Sequence, residues 1–95
     1  MQLRVLEREP NKIVIEVDGE GHTLCNLLES VLLEDEDVKF ASYNISHPLV
    51  AKPVIIVQTK ENKSPEAALK EAVEKILERG RKLREEFEKA FKSSK

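Results

Sequence analysis

The sequence has 95 residues, which is enough for one domain with a modest hydrophobic core, and we expect a single domain over residues 1–95. Its apolar fraction of 40% is typical of a globular protein rather than of a disordered chain. The net charge of −2 is too close to neutral for binding nucleic acid by counterion release, and an aromatic content of 4% leaves few rings to stack on bases. No direct DNA binding is therefore expected.

The only cysteine, Cys25, excludes an internal disulfide bond and fits a reducing compartment. The sequence shows no signal peptide, no lipidation motif and no apolar run approaching the length of a membrane span. We therefore expect a soluble, cytoplasmic protein that does not engage a membrane.

The first third of the chain predicts a β-hairpin followed by a helix. Residues 2–9 and 12–18 alternate as strands, and the turn signal Pro10-Asn11 joins them into a hairpin. After a break at residues 19–21, Thr23 can cap a helix that ends near Glu34. Its apolar residues follow the helical spacing i, i+3, i+4, i+7, i+8: Leu24, Leu27, Leu28, Val31 and Leu32.

The middle of the chain predicts two more strands. In residues 38–45, Val38 and Phe40 share one face and the later apolar residues share the other, so we expect a bulge near Ala41 or Ser42. Residues 54–57 are apolar on both faces, which predicts a central, covered strand after a loop at residues 46–53.

Residues 64–91 predict one long helix. Ser64 is a suitable N-cap, Pro65 fits the first helical position, and Glu66 suits the positive end of the helix dipole. Spacings of four and three residues alternate along it, which is the pattern of a helix packing along another helix. The positions that follow this pattern are Leu69, Val73, Ile76, Gly80, Leu83, Phe87 and Ala90, and the stripe is widened by Leu77 and Phe91.

The length of this helix predicts an interface. At 1.5 Å per residue it would run roughly 40 Å, whereas a compact domain of this size has a radius of gyration of about 12 Å. Its far end carries Leu83, Phe87 and Phe91, whose burial would contribute roughly 5–9 kcal/mol. Two alternatives remain: the helix bends back over its own sheet or frays after Gly80, or a second chain covers the stripe.

The element order strand, strand, helix, strand, strand, helix predicts a two-layer α+β domain. We expect a four-stranded, mostly antiparallel sheet with both helices on one face and a long C-terminal helix. Glu–Lys pairs four residues apart, such as Glu78/Lys82 and Glu85/Lys89, would support the solvent face of that helix.

The sequence offers no convincing catalytic, metal or cofactor site. His22 and Cys25 are close in sequence, but nothing nearby supplies an oxyanion hole, and Cys25 lies in a leucine-rich helix. One cysteine and two histidines are too few for a structural zinc site. The acidic run at residues 34–37 lacks the spacing of a calcium-binding loop. We therefore expect no catalytic residues, no metal and no cofactor.

The segment GHTLCNLL at residues 21–28 resembles the alpha motif of RNA polymerase assembly subunits. Tyr43, then His47-Pro48-Leu49, then Val57-Gln58-Thr59 and Ser64-Pro65 follow in the order seen in that family. Over nearly its whole length the chain resembles the archaeal subunit L family of DNA-directed RNA polymerase. The motif carries over to His22, Thr23, Leu24, Asn26, Leu27 and Leu28.

This resemblance implies a non-catalytic assembly subunit of a nucleotidyltransferase complex, located in the cytoplasm with the nucleoid-associated polymerase. It implies a heterodimer with the larger alpha-like partner, called D in archaea, which serves as a platform for the second-largest polymerase subunit and the small subunits N and P. It places the partner interface on both helices: Leu24, Leu27, Leu28 and Val31 in the first, and Leu69, Val73, Ile76, Gly80, Leu83, Phe87 and Phe91 in the last.

One departure from the family pattern concerns the large subunit. Glu29 stands where bacterial alpha subunits and the larger partners carry an arginine, which implies that this chain contributes less to that contact. Two other functions remain as alternatives. The same stripe could support a homodimer, and the basic residues Arg79, Arg81, Lys82 and Arg84 could bind nucleic acid, although glutamates are interleaved with them.

Overall fold

A computed structural model describes residues 2–18, 22–45 and 53–93 of the chain. The elements are β1 (Gln2–Glu9), β2 (Lys12–Asp18), α1 (His22–Leu33), β3 (Val38–Ile45), β4 (Pro53–Thr59) and α2 (Pro65–Ser93). This order confirms the predicted two-layer α+β architecture. The predicted break at residues 19–21 and most of the predicted loop, residues 46–52, lie outside the described residues.

The four strands form one antiparallel sheet in the order β1-β2-β4-β3, and β1 and β2 form the predicted hairpin. β4 is central, as its apolar sequence predicted. Val57 in β4 pairs with Ile13 on one side and Ala41 on the other, and this row lies in the core beneath the helices. Both helices therefore pack on the same face of the sheet.

The bulge in β3 lies earlier than predicted. Val38 pairs with Thr59 and Phe40 pairs with Gln58, so the extra residue is Lys39 rather than Ala41 or Ser42. Because the bulge comes before Phe40, that ring lies on the opposite face of the sheet from the buried Val38, and it is 46% exposed. The prediction that Val38 and Phe40 share a face was wrong. A second irregularity, in β1 between Val5 and Glu7, was not predicted.

The two helices begin differently from one another. α1 already includes His22, so Thr23 lies inside the first turn and does not cap the helix. α2 is capped as predicted, because the backbone N–H of Ala67 donates to Ser64 Oγ at 3.1 Å. Neither helix of the described chain has the length and apolar content needed to cross a bilayer.

α2 is one continuous helix of 29 residues that passes through Gly80 without a break. The alternative in which the helix frays after Gly80 is therefore wrong. The chain has a radius of gyration of 15.9 Å and a longest extent of 53 Å. A compact domain of this length would have a radius of gyration of about 12 Å. The far half of α2 therefore extends beyond the body of the domain.

A small polar cluster fixes the connection that leads into α2. The side-chain amide of Asn11 donates to the carbonyl oxygens of Lys60 at 2.6 Å and Lys63 at 3.3 Å. The Thr59 hydroxyl also donates to the Lys63 carbonyl, at 2.6 Å. The turn between β1 and β2 thus holds the β4–α2 connection, and with it the starting point of the long helix.

Candidate partner-binding surface

α2 contacts its own domain through small residues. Pro65, Ala68 and Ala72 are its buried residues, and the two alanines belong to the core cluster. Alanines four residues apart lie on one face of a helix, so they let the helix backbone approach the layer beneath it closely. This ridge was not predicted from the sequence, because the helical pattern was traced through the larger apolar side chains. The only available signal was the spacing of the two alanines.

The larger apolar residues of α2 lie about a quarter of a turn away from this ridge, at 100° per residue. We call this stripe the seam; it consists of Leu69, Val73, Ile76, Gly80, Leu83, Phe87 and Phe91. Leu69 and Ile76 are half-buried against the core, whereas Val73 is 46% exposed. Seam residues thus touch their own domain only along the first half of α2.

Beside the first half of the seam lies an apolar groove of about 320 Å³, which we call the proximal groove. Its floor is formed by the sheet and its two walls by α1 and α2. All eleven lining residues are apolar or cysteine: Leu3, Ile15, Val17, Leu24, Cys25, Leu28, Ile55, Leu69, Val73, Ile76 and Leu77. The edge strand β1 contributes Leu3, which is 64% exposed, so this side of the helical layer is open.

The second half of the seam has no cover within the described chain. Leu83, Phe87 and Phe91 are 57%, 52% and 72% exposed, and we call this part of the helix the distal face. The rings of Phe87 and Phe91 stack on each other with centroids 6.0 Å apart. A Cβ added at Gly80 would meet no atom within 4 Å, so the space in front of this residue is open.

The α1 residues expected at the interface divide into two groups. Leu24 and Leu28 line the proximal groove, and Leu27 is exposed beside them. Val31 is 1% exposed and belongs to the core, so it has almost no surface to present to another chain. We therefore reassign Val31 from the expected interface to the core. This happened because α1 is apolar over most of its circumference, and spacing alone cannot distinguish the side that faces the sheet.

The residues of the family motif at residues 21–28 say less about where a partner binds. Thr23 and Asn26 are exposed on α1, on the same helix that contributes the groove residues. The structure does not describe the side chain of His22 or the segment His47-Pro48-Leu49. Among the described residues, no group of three His, Cys, Asp or Glu side chains could hold a metal ion.

The opposite flank of α2 is charged and ties the helix to the end of α1. The Lys63 ammonium contacts Asp35 Oδ2 at 2.5 Å and also pairs with Glu71. The guanidinium of Arg79 makes two hydrogen bonds to the carboxylate of Glu34, one of them at 2.9 Å. Lys63 and Asp35 are largely screened from solvent, with side chains 16% and 14% exposed. We call these five residues the charged flank.

These contacts shift the ionisation of the charged groups. The hydrogen bond from Lys63 lowers the pKa of the Asp35 carboxyl, and the backbone N–H of Asp37, 2.9 Å from Asp35 Oδ1, acts in the same direction. Hydrogen bonds to Asp35 and then Glu71 raise the pKa of the Lys63 ammonium. The hydrogen bonds from Arg79 lower the pKa of Glu34. Asp35, Glu34 and Lys63 are therefore charged at neutral pH, and their ion pairs hold α2 against the turn that follows α1.

Comparison with known proteins identifies a family for this arrangement. Residues 12–86 match the family described as the RNA polymerase Rpb3/Rpb11 dimerisation domain. The chain is 42% identical to DNA-directed RNA polymerase subunit Rpo11 of Pyrococcus furiosus, over 98% of this chain and 100% of that protein. It is also 42% identical to subunit Rpo11 of Methanothermobacter thermautotrophicus, over 81% of this chain and 87% of that protein.

The fold is similar to a crystal structure as well. DNA-directed RNA polymerase subunit L from Thermoplasma acidophilum superimposes with a TM-score of 0.86 at 34% sequence identity, covering 96% of this chain and 89% of that one. The similarity therefore extends to the long C-terminal helix, which carries the seam.

Replacing Lys63 by methionine should destabilise the fold in a pH-dependent way. The substitution leaves the carboxylates of Asp35 and Glu71 close together without their counter-ion. At pH 7 we expect a loss of roughly 1–2 kcal/mol in the free energy of unfolding, measured by urea denaturation at one fixed protein concentration.

The direction of the pH dependence follows from the pKa shifts of Asp35 and Lys63. Because the pKa of Asp35 is lowered in the folded state, this carboxyl stabilises the fold above its unfolded pKa of about 3.9, and the contribution is lost as the pH falls through the folded pKa. Because the pKa of Lys63 is raised, this ammonium stabilises the fold below its unfolded pKa of about 10.4, and the contribution is lost as the pH rises through the folded pKa. The deficit of Lys63→Met should therefore shrink below about pH 4. Lys60→Met, at an exposed side chain in the same connection, is the control. Equal deficits in both variants would contradict this role.

Proposed function

The chain belongs to the family of the RNA polymerase Rpb3/Rpb11 dimerisation domain, and we propose that it is the smaller alpha-like assembly subunit of an archaeal-type DNA-directed RNA polymerase. Its role is to pair with a larger alpha-like partner, of the D type, and thereby to form a platform for the catalytic subunits. The chain acts in assembly, and the chemistry of transcription is carried out elsewhere in the complex.

One observation supports this function above the others: the apolar surface is too large and too continuous for a free domain. The proximal groove and the distal face are joined by Gly80 into a single stripe along α2. Large contiguous apolar patches on soluble domains mark sites of protein–protein contact. A helical layer of another chain, laid along α2, would cover both parts at once.

The seam indicates what the partner must supply. Opposite the distal face it needs an apolar pocket for two phenylalanine rings, and opposite the proximal groove it needs projecting apolar side chains. Opposite Gly80 it needs a helix that can approach closely, because the open space in front of this residue would accept a neighbouring backbone. A second α-helix that crosses α2 near Gly80 meets all three requirements.

We further propose that the resulting heterodimer contacts the second-largest polymerase subunit and the small subunits N and P, and that the complex acts in the cytoplasm at the nucleoid. Glu29, half-buried on α1, stands where larger alpha-like subunits carry arginine. A carboxylate cannot reproduce the hydrogen bonds of a guanidinium. We therefore assign the main contact with the large subunit to the partner and a minor one to this chain.

The nucleic-acid-binding alternative finds little support in the basic face of α2. Arg81 pairs with both Glu78 and Glu85, and Arg84 pairs with Glu88. Arg81 thus pairs with the two glutamates that the sequence pattern predicted would pair with Lys82 and Lys89. Because these arginines are already paired with carboxylates of the same helix, the face carries little net positive charge to attract phosphates.

Co-expression with the larger alpha-like subunit tests the proposed function. We expect a 1:1 complex by sedimentation, whereas the chain expressed alone should be aggregated, molten or self-associated, because its seam is then open to water. A well-folded monomer whose mass and stability do not change when the larger subunit is present would contradict the proposed heterodimer.

Leu83→Asp should block the pairing while leaving the domain folded. Leu83 lies on the overhanging half of α2, so the change does not touch the core. In the complex an unpaired carboxylate would be buried in the seam, at a cost of roughly 3–5 kcal/mol, or a 100- to 5,000-fold loss of affinity. Lys82→Asp, the neighbouring exposed position, is the matched control. If Leu83→Asp still retained the larger subunit fully in a pull-down, the seam would be excluded as the binding surface.

Gly80→Ala separates two roles for the glycine. In the isolated helix, alanine should stabilise by up to about 1 kcal/mol, since it has the higher helix propensity and its methyl group meets no neighbour. In the complex, the same methyl group should weaken binding if the facing helix approaches closely at this point. Affinity for the larger subunit, measured by calorimetry, gives the answer. A complex that simply becomes more stable would rule out the close approach.

A further inference from the structure

We propose that, in the absence of the larger subunit, this chain forms a closed homodimer through the seam. The two α2 helices cross antiparallel at Gly80, and the distal face of each copy occupies the proximal groove of the other. This inference rests on the proposed function only in that both use the seam. The occupant is different, because here it is a second copy of the same chain.

The seam, taken together with the groove residue Leu77, carries apolar side chains at matching distances on either side of Gly80. Phe91 and Leu69 lie eleven residues to either side of it, and Phe87 and Val73 lie seven residues to either side. Leu83 and Leu77 lie three residues to either side. A two-fold axis through Gly80, with the helices antiparallel, therefore brings each exposed side chain of the distal face opposite an apolar side chain that lines the proximal groove.

The two halves of the seam also have complementary shapes, as an antiparallel dimer requires. The first half is concave, because the sheet and α1 form a groove beside it. The second half is a bare helix with two stacked phenylalanine rings projecting from it. A convex half and a concave half on one helix, related by a two-fold axis, make a closed isologous contact rather than an open chain of subunits.

The two charged residues that border the distal face lie at the edge of the contact in this register. Arg84 falls opposite Ile76 of the other copy, where its aliphatic stem can cover the apolar side chain. Glu88 falls opposite Ala72, which is buried in its own domain, so this carboxylate stays at the rim. The charged flank lies on the other side of the alanine ridge and points away from the seam. Gly80 has open space in front of it, so the two backbones can approach each other at the axis.

The exposed area is of the order that a dimer needs. An aromatic side chain offers roughly 150–250 Å², and more than half of both Phe87 and Phe91 is exposed. Together with Leu3, Val73, Leu77 and Leu83, all substantially exposed, they supply several hundred Å² per copy. A standard stable interface buries roughly 800 Å² per partner. The homodimer thus covers the surface that a free chain would leave in water, and it must dissociate before the larger subunit can bind.

A mixing experiment with variants that each carry one added cysteine tests both the contact and the relative direction of the two helices. Leu77→Cys and Leu83→Cys are prepared separately, mixed, and oxidised mildly at micromolar concentration. In the antiparallel register residue 77 of one copy lies opposite residue 83 of the other, while like residues are about 9 Å apart along the helix, too far for an unstrained disulfide. The mixture should therefore form disulfide-linked dimers at least about tenfold faster than either variant alone.

Matched controls keep the result interpretable. Lys82→Cys lies on the solvent face and should cross-link with neither variant. The native Cys25 is buried, and repeating the experiment in a Cys25→Ala background shows whether it contributes. Sedimentation equilibrium of the unmodified chain should give twice its mass, and Leu83→Asp should give the single mass.

The outcomes separate this inference from the proposed function. A monomeric free chain that still binds the larger subunit would overturn the homodimer and leave the proposed function intact. A homodimer that the larger subunit cannot dissociate would support the inference and contradict the proposed function. Efficient cross-linking of each variant with itself, or growth into larger aggregates, would also overturn the closed antiparallel dimer.

Discussion

The contact of α2 with its own domain through Ala68 and Ala72 is the constraint on which the surface of this protein depends. Two methyl groups bring the helix close to the sheet and to α1, but they cover little of the helix itself. The larger apolar residues are then left about a quarter of a turn away, on the flank that overlooks β1. Their position follows from the choice of small residues at the contact, since a bulky ridge would have lifted the helix and changed which side faced the core.

The magnitudes show why this arrangement points to a partner. The exposed fractions of Leu83, Phe87 and Phe91 correspond to on the order of 3–6 kcal/mol of burial that the free chain does not obtain. A small domain has a total stability of about 5–15 kcal/mol. Covering the distal face therefore changes the free energy of the folded state by an amount comparable with its whole margin, so folding and assembly are coupled in this chain.

The ion pairs on the charged flank orient α2 on the domain more than they stabilise the fold. Lys63, held between Asp35 and Glu71, joins the start of α2 to the turn after α1, and the Arg79–Glu34 pair repeats the contact further along. Exposed pairs of the second kind contribute little to stability. Two such contacts on the same flank nevertheless favour one angle of the helix over the domain, and that angle decides where the overhanging half of the seam points.

Elements with a clear period were predictable from the sequence, and features set by neighbouring elements were not. The strands of the hairpin, the N-cap at Ser64 and the continuous long helix follow from local spacing and turn chemistry. The bulge at Lys39 was misplaced because parity shows that the alternation changes but not which residue is extra. Val31 was misassigned because α1 is apolar on most sides, and only the packing shows which side is covered. Arg81 took the carboxylates expected to pair with lysines because its planar fork can reach glutamates on both sides.

Because the seam is apolar, it discriminates poorly between possible partners. Apolar contact gives affinity without choosing between partners of similar shape, and a stripe with apolar residues on both sides of Gly80 can in principle be covered by a second copy or by a different helix. Preference for one over the other must then come from polar groups at the rim of the seam, where Arg84 and Glu88 are paired at 3.3 Å and border the distal face. A partner that offers these two side chains hydrogen-bonding groups gains affinity that a second copy, which meets Arg84 with Ile76, cannot match. Each additional 1.4 kcal/mol gained in this way shifts the choice about tenfold. We therefore propose that the polar rim, rather than the apolar seam, selects the partner.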